Sequence, residues 1–219
     1  MRAALLLAAL LSVAAAKPAD WTRTVTQTPT GAYVLGNPHA KVRLVEYLSY
    51  TCPHCAHFAG ESAAPLRKTY VARGAVAVEL RNAVRDRLDF ADALAARCGG
   101  AGRVFGDSEA IFAAQDALIA KAEAFEKAGS VPAEPNAGLK AMARGSGLTA
   151  LMAARGLSPA RLDACLVSKP AQDQVLAMTK EAWDARKISG TPAFLINDTL
   201  AGGGWAQIEP QLRAAVAAR

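Results

Sequence analysis

The segment Cys52-Pro53-His54-Cys55 stands where a strand-like run gives way to a helix-forming one, and no other feature limits the fold as strongly. Upstream, Val42-Arg43-Leu44-Val45-Glu46-Tyr47-Leu48 is mostly β-branched, apolar or aromatic, which predicts a strand. Downstream, a helix is expected from Pro53 to about Ala72, with proline in the first turn, where its missing N–H costs nothing. Gly74 ends it, and Ala75 to Leu80 reads as a second strand. A helix of that length between two strands specifies a βαβ unit with parallel pairing.

The spacing of the two cysteines has chemical consequences. Residues three apart on a helix share a face, so the sulfurs of Cys52 and Cys55 can reach disulfide geometry. Cys52 falls at the helix N-terminus, where unpaired N–H groups and the positive end of the helix dipole favour a thiolate. The thiolate is the attacking species in disulfide exchange. His54 can add a donor or a positive charge, and Cys55, one turn further in, is expected to be more buried and to act as the resolving thiol. A stabilised Cys52 thiolate stabilises the reduced pair and so makes the disulfide more oxidising. Two other uses of the motif are open: half of a zinc site, or a purely structural bridge. The first lacks a second C-x-x-C or an H-x-x-x-H to complete it.

Beyond the second strand the chain changes character. Between Leu88 and Lys187 it is dominated by Ala, Leu, Met, Glu, Lys and Arg, with breaks at Cys98-Gly99-Gly100, Gly129 to Pro132, Gly145-Ser146-Gly147 and Gly156 to Pro159. Four to six helices are expected there. Strand signal returns at Pro192-Ala193-Phe194-Leu195-Ile196, followed by an Asn197-Asp198 turn, Thr199-Leu200-Ala201 and a last amphipathic helix from about Trp205 to Ala218. The lead-in from Lys17 to Pro38 is extended, with a short edge strand near Tyr33 to Leu35. Arg81, Arg85 and Arg87 with Asp86 and Asp89 read as a solvated, mixed-charge loop or helix start. The order βαβ, helical block, ββα is best explained by a helical domain inserted into a small α/β domain.

At the N-terminus, Met1-Arg2 precedes an apolar run from Ala3 to Ala16 broken only by Ser12. That run is short of the roughly 20 residues a transmembrane helix needs and ends in Ala14-Ala15-Ala16, which matches a secretory signal peptide cleaved after Ala16. Export would place the protein in an oxidising compartment, where disulfides persist. With 52% apolar residues and 20% charged among 219, disorder is excluded. A net charge of +6 spread without a Lys/Arg block gives no sign of a nucleic-acid partner.

The segments Gly36-Asn37-Pro38-His39-Ala40-Lys41-Val42 and Glu46-Tyr47-Leu48-Ser49-Tyr50-Thr51-Cys52-Pro53-His54-Cys55 together resemble the active-site region of the DsbA-like thiol:disulfide oxidoreductases. Gly190-Thr191-Pro192-Ala193-Phe194 is similar to the loop of that family that carries a cis-proline opposite the cysteines. The resemblance implies an α/β thioredoxin fold interrupted by an all-helical domain. A signal peptide would occupy 1–16, the thioredoxin-like domain 17–87 and 188–219, and the inserted helical domain 88–187.

It implies Cys52 as nucleophile, Cys55 as resolving cysteine, and Pro53 and His54 as the pair that tunes the potential. Thr191 and Pro192 would form the loop that pairs with a bound peptide backbone. Glu46, six residues before Cys52, is where the family often has an acid; it either relays the proton of Cys55 or faces outward. With Cys52 and Cys55 paired, Cys98 and Cys165 are either a second, structural disulfide or two free thiols. The family does not require that bridge.

The implied activity is introduction of disulfides into newly translocated, unfolded Cys-containing proteins in the periplasm, through a mixed-disulfide intermediate. No dissociable cofactor and no metal are needed, a membrane quinone-linked DsbB-like partner would reoxidise the pair, and a soluble monomer is expected. Two alternatives stand beside it. The same fold can work as a reductase or isomerase, which Thr191 keeps open, because strong oxidants of the family often carry Val there and isomerases Thr. From a different class, a holdase chaperone or copper-binding protein would use the cysteines without redox turnover.

Overall fold

A computed structural model describes residues 20–218; the signal-peptide expectation falls on residues outside them. The strand expected before the cysteines forms as β3 (Val42–Leu48), after two short strands β1 (Val25–Gln27) and β2 (Tyr33–Leu35). Helix α1 (Pro53–Pro65) leads through a π-helical stretch, Leu66–Val71, to β4 (Val76–Asn82). β3 and β4 pair in parallel from Val42↔Val76 to Leu48↔Asn82, completing the βαβ unit. At the far end of the chain β5 (Ala193–Ile196) and β6 (Thr199–Ala201) precede a last helix, Trp205–Ala217. The sheet order is β1-β2-β4-β3-β5-β6, so β3 is central and β2 is covered by β1 instead of forming the edge.

Local chemistry explains the departures from the sequence reading. The α1 helix was expected to reach Ala72, but Pro65 lacks the N–H for an i→i−4 bond, and the ladder beyond it widens, with Ala72 N–H donating to Arg67 O. Asn197 and Asp198 both adopt left-handed backbone (φ 49° and 66°), the geometry that a two-residue hairpin turn requires. Asn197 Oδ1 also accepts from Arg43 N–H at 2.9 Å, pinning the hairpin to β3.

The helical block holds seven α-helices instead of four to six: α2 (Arg87–Arg97), α3 (Val104–Ala113), α4 (Gln115–Lys127), α5 (Pro135–Gly145), α6 (Leu148–Ala154), α7 (Pro159–Leu166) and α8 (Lys169–Lys180). The last helix of the chain is then α9. Two breaks escaped the reading. Ala114 separates α3 from α4 with no Gly or Pro to announce it, and Ser168 precedes Lys169-Pro170 at the start of α8. A π-helical turn, Glu181–Ala185, leads from α8 toward β5.

Strand alternation divides the core. Val42, Leu44, Glu46 and Leu48 share one face of β3, and Leu44 packs there with Phe58 of α1, Phe194 of β5 and Ile208 and Leu212 of α9. Val45 and Tyr47 on the other face pack with Ala182 and Leu195. Leu48, Tyr50, Cys52 and Cys55 belong to a third cluster, together with Leu94, Ile111, Met142, Met152 and Leu162 of the helical block. The cysteine pair therefore sits in the core that the helices build. Among the described residues, no helix is long and apolar enough to cross a membrane.

Candidate active site

Cys52 is the N-cap of α1, its backbone extended (φ −94°, ψ 117°), with Pro53 in the first turn. Its carbonyl accepts from the N–H groups of Cys55 and Ala56, which begins the helix. Both cysteines are buried free thiols, Cys55 fully and Cys52 3% exposed, whereas Pro53 and His54 are exposed. The Thr191–Pro192 peptide is cis, and Cys52 Sγ donates to Thr191 O at 3.0 Å. That contact spans 139 residues and brings the second landmark against the first.

The two thiols differ sharply in acidity. The Cys55 side chain hydrogen-bonds to Cys52, an effect that outweighs burial. With Thr191 and the N–H groups of Cys55 and His54, it draws the Cys52 thiol down to about 4. Cys55 moves the other way. Burial pushes its thiol far up, reinforced by the hydrogen bond to Cys52 and by the charge of Glu46. Such a pair can do one chemistry well: a thiolate at the helix terminus exchanges with a disulfide, and a buried thiol, once deprotonated, resolves the mixed disulfide.

Glu46 does not face outward. It is 6% exposed, on the same face of β3 as Leu44 and Leu48, and its Oε1 has no hydrogen-bond partner. Burial raises its carboxyl to about 8, so it is mostly protonated at neutral pH. The alternation of β3 carried this signal, since a glutamate in phase with Leu44 and Leu48 must point where they point.

Cys98 and Cys165 form a disulfide that ties the end of α2 to α7, with Cα atoms 5.6 Å apart. They belong to the helical block and not to the Cys52 site.

Of the mixed-charge segment Arg85, Asp86 and Arg87 are exposed as expected, whereas Arg81 is half-buried and Asp89 buried, and its side chains support the site in ways the sequence reading missed. Asp86 caps α2 by accepting from Asp89 N–H at 2.8 Å. Asp89 is fully buried and accepts from Tyr50 N–H at 2.7 Å and Arg85 N–H at 3.0 Å; burial raises its carboxyl to about 7 against the pull of these bonds. Arg85 donates to Ser49 Oγ and Thr51 Oγ1, and Thr51 donates to Asp86. From α4, Gln115 Nε2 donates to both Tyr50 O (2.6 Å) and Cys52 O (3.0 Å). Arg81 lies away from the cysteines, bonded to Glu79, Tyr47 and Glu181. Arg87, like Arg85 and Asp86, is exposed. The aspartate–x–x–aspartate spacing at the start of α2 was a readable capping signal; nothing in the sequence points to Gln115.

Among the described residues no group of three or more His, Cys, Asp or Glu side chains is gathered as a metal site requires.

A thioredoxin family model matches residues 27–215. Among curated proteins, a "Putative protein-disulfide oxidoreductase" of Rickettsia typhi is 28% identical over 181 residues, 83% of this chain and 60% of its own length. A namesake from Rickettsia felis is 28% identical over 169 residues, 77% of this chain and 54% of the relative. The chain thus spans little more than half the length of these relatives. Among solved structures, the protein-disulfide isomerase from Novosphingobium aromaticivorans superposes with a TM-score of 0.77 at 37% identity, covering 84% of this chain and 97% of that one. Wolbachia pipientis alpha-DsbA1 gives 0.68 at 20% identity, covering 84% and 90%, a likeness of fold.

Proposed function

The chain belongs to the thioredoxin family, with the DsbA-like arrangement of a helical block between β4 and β5, and on that footing we propose that it is a thiol:disulfide oxidoreductase acting through Cys52 and Cys55. The observation that carries this reading is the opposed acidity of two buried, adjacent thiols, Cys52 lowered to about 4 and Cys55 raised. Oxidation of substrates is the direction it favours. A substrate thiolate attacks Cys52 of the disulfide and Cys55 leaves as a thiolate. A second substrate thiolate then displaces Cys52, whose low pKa makes it a good leaving group. Stabilisation of the Cys52 thiolate stabilises the reduced enzyme and makes its disulfide a strong oxidant.

In this reading 17–87 with 188–219 form the thioredoxin-like domain and 88–187 the inserted one. Glu46 takes up and returns the proton of Cys55, Thr191 and Pro192 border the peptide-binding groove, and Pro53 and His54 tune the potential. The substrates are unfolded, exported Cys-containing proteins in the periplasm, reached after cleavage at Ala16. A DsbB-like membrane partner restores the disulfide of the monomeric enzyme.

One observation favours a second reading, disulfide isomerisation: the 37%-identical solved relative bears that name. Equilibration of the Cys52–Cys55 pair with glutathione buffers, read by alkylation and mass, separates them. A potential near about −120 mV is expected for the oxidase, and one near about −200 mV or lower overturns it in favour of reduction or isomerisation.

A further inference from the structure

The segment 186–192 leads from the π-helical turn Glu181–Ala185 to β5 and carries Thr191 to the sulfur of Cys52, yet it is neither helix nor strand. Its first residues are tied back to the turn, Arg186 N–H donating to Glu181 O at 2.8 Å and Ile188 N–H to Ala182 O at 3.1 Å. Among the described residues, no backbone–backbone hydrogen bond involves Ser189, Gly190 or Thr191. The place of Thr191 therefore depends on how the two ends of this span are held. Tyr47 holds both. At the far end its backbone is the register partner of Ala193, the first residue of β5. At the near end its hydroxyl donates to Glu181 Oε1 at 2.8 Å, at the head of the turn. Between the two, its buried ring shares a cluster with Ala182, against which Trp183, Ile188 and Ala193 pack. Arg81, the register partner of Tyr47 in β4, completes the anchor: its Nη1 donates to the Tyr47 hydroxyl and to both oxygens of Glu181 at 2.8–3.0 Å. Burial and the bond to Glu181 push the phenol up to about 12, so it stays a donor at neutral pH.

Resting on the thiol–disulfide reading above, we propose that Tyr47 is a positioning residue of the exchange reaction: it spans the loop between the helical block and β5 and so holds Thr191 against Cys52. The hydroxyl is the part that goes beyond packing. Phenylalanine would fill the same space and keep the β3 ladder, but the turn that begins at Glu181 would lose its hold on β3. Arg81 would still reach Glu181, though through a long side chain with many rotamers, whereas the phenol stands on a ring fixed by burial. A freer Thr191 is a poorer partner for Cys52. The Thr191 side chain is among the groups that draw the Cys52 thiol down, so loosening the loop raises that thiol again. The reduced pair is then less stabilised and its disulfide a weaker oxidant.

The test compares Tyr47→Phe, Glu181→Ala and the double variant with the parent protein. Two quantities are read in each: the midpoint of the Cys52 thiolate titration, and at pH 7 the equilibrium in which two glutathione thiols are oxidised to their disulfide as Cys52 and Cys55 are reduced. Tyr47→Phe should raise the midpoint by about one pH unit and lower the equilibrium constant about tenfold. Glu181→Ala should shift both at least as far. Adding Tyr47→Phe to it should shift neither further, because the hydroxyl then has no carboxylate to hold. If Tyr47→Phe moves neither quantity, whatever it does to the urea midpoint, the hydroxyl serves the fold alone and the positioning role is overturned. Shifts that add in the double variant overturn it as well, since Tyr47 would then act by a path other than Glu181. A parent protein that does not exchange with glutathione at all would end the thiol–disulfide reading itself, and the role of Tyr47 with it.

Discussion

Cys52 Sγ lies 3.0 Å from the carbonyl oxygen of Thr191, a contact between the cap of α1 and the loop that enters β5. A thiol can donate to that carbonyl, whereas a thiolate cannot and depends on the side chains of Cys55 and Thr191 and the first N–H groups of α1. The direction of the acidity shift says which donors prevail.

In reduced protein, the thiolate absorbance of Cys52 should titrate with a midpoint near 4 and vanish in Cys52→Ser. The sign for stability follows from linkage. The native pKa lies below the ordinary value of 9, so the stabilisation is fully present above that value and is lost as pH falls through about 4. The melting temperature of the reduced form should therefore gain on that of the oxidised form as pH rises from 4 toward 8.

Glu46 has the opposite sign. Its native carboxyl is raised from 4.5 to about 8, so the folded protein holds a proton that the unfolded chain has released, and stability declines as pH climbs through that window. Glu46→Leu should remove the decline, stabilising the protein by roughly 2–4 kcal/mol at pH 8 and by much less at pH 5. Urea unfolding at the two pH values measures the difference, and equal gains at both would refute the assignment.

The strand-to-cysteine-to-helix sequence was legible because each element announces itself locally: β-branched residues in β3, proline at the start of α1, glycine after it. Cys52 and Cys55 could be named on those signals, and Pro192 from the resemblance of Gly190 to Phe194 to the DsbA-like loop. The supports of the site could not, since Asp89 and Gln115 reach it through tertiary contacts, and a charged or amide residue on a helix looks the same whether it meets water or a backbone carbonyl. Glu46 lies between these cases. Its phase in β3 was written in the sequence, but whether that face was buried depended on α1 and α3 closing over it.

Removing the bridge between Cys98 and Cys165 should cost stability and nothing else. The loop it closes spans 67 residues, worth about 4 kcal/mol in the chain-entropy treatment. The double variant Cys98→Ala/Cys165→Ala should melt at lower temperature while the Cys52 titration and the glutathione equilibrium stay as in the parent. A shifted potential would mean that the helical block transmits strain to the active pair.

Gln115 offers the sharpest separation of structure from chemistry. Its amide donates to Tyr50 O and Cys52 O, fixing the turn before α1 from the opposite side to Asp89. Gln115→Ala removes both donors from a buried position and should destabilise the protein by roughly 1–3 kcal/mol. Cys52 O keeps its bonds from Cys55 and Ala56 N–H, so the thiolate titration should hardly move. Gln115→Glu sets a carboxyl against two carbonyl oxygens; its protonated form can donate to one of them and its ionised form to neither. Its native pKa should then exceed the unfolded value, so this variant should approach parental stability at low pH and lose it as pH rises through that pKa. Unfolding of the two variants at pH 4 and pH 7 checks the argument: Gln115→Ala should be equally impaired at both, and Gln115→Glu mainly at the higher.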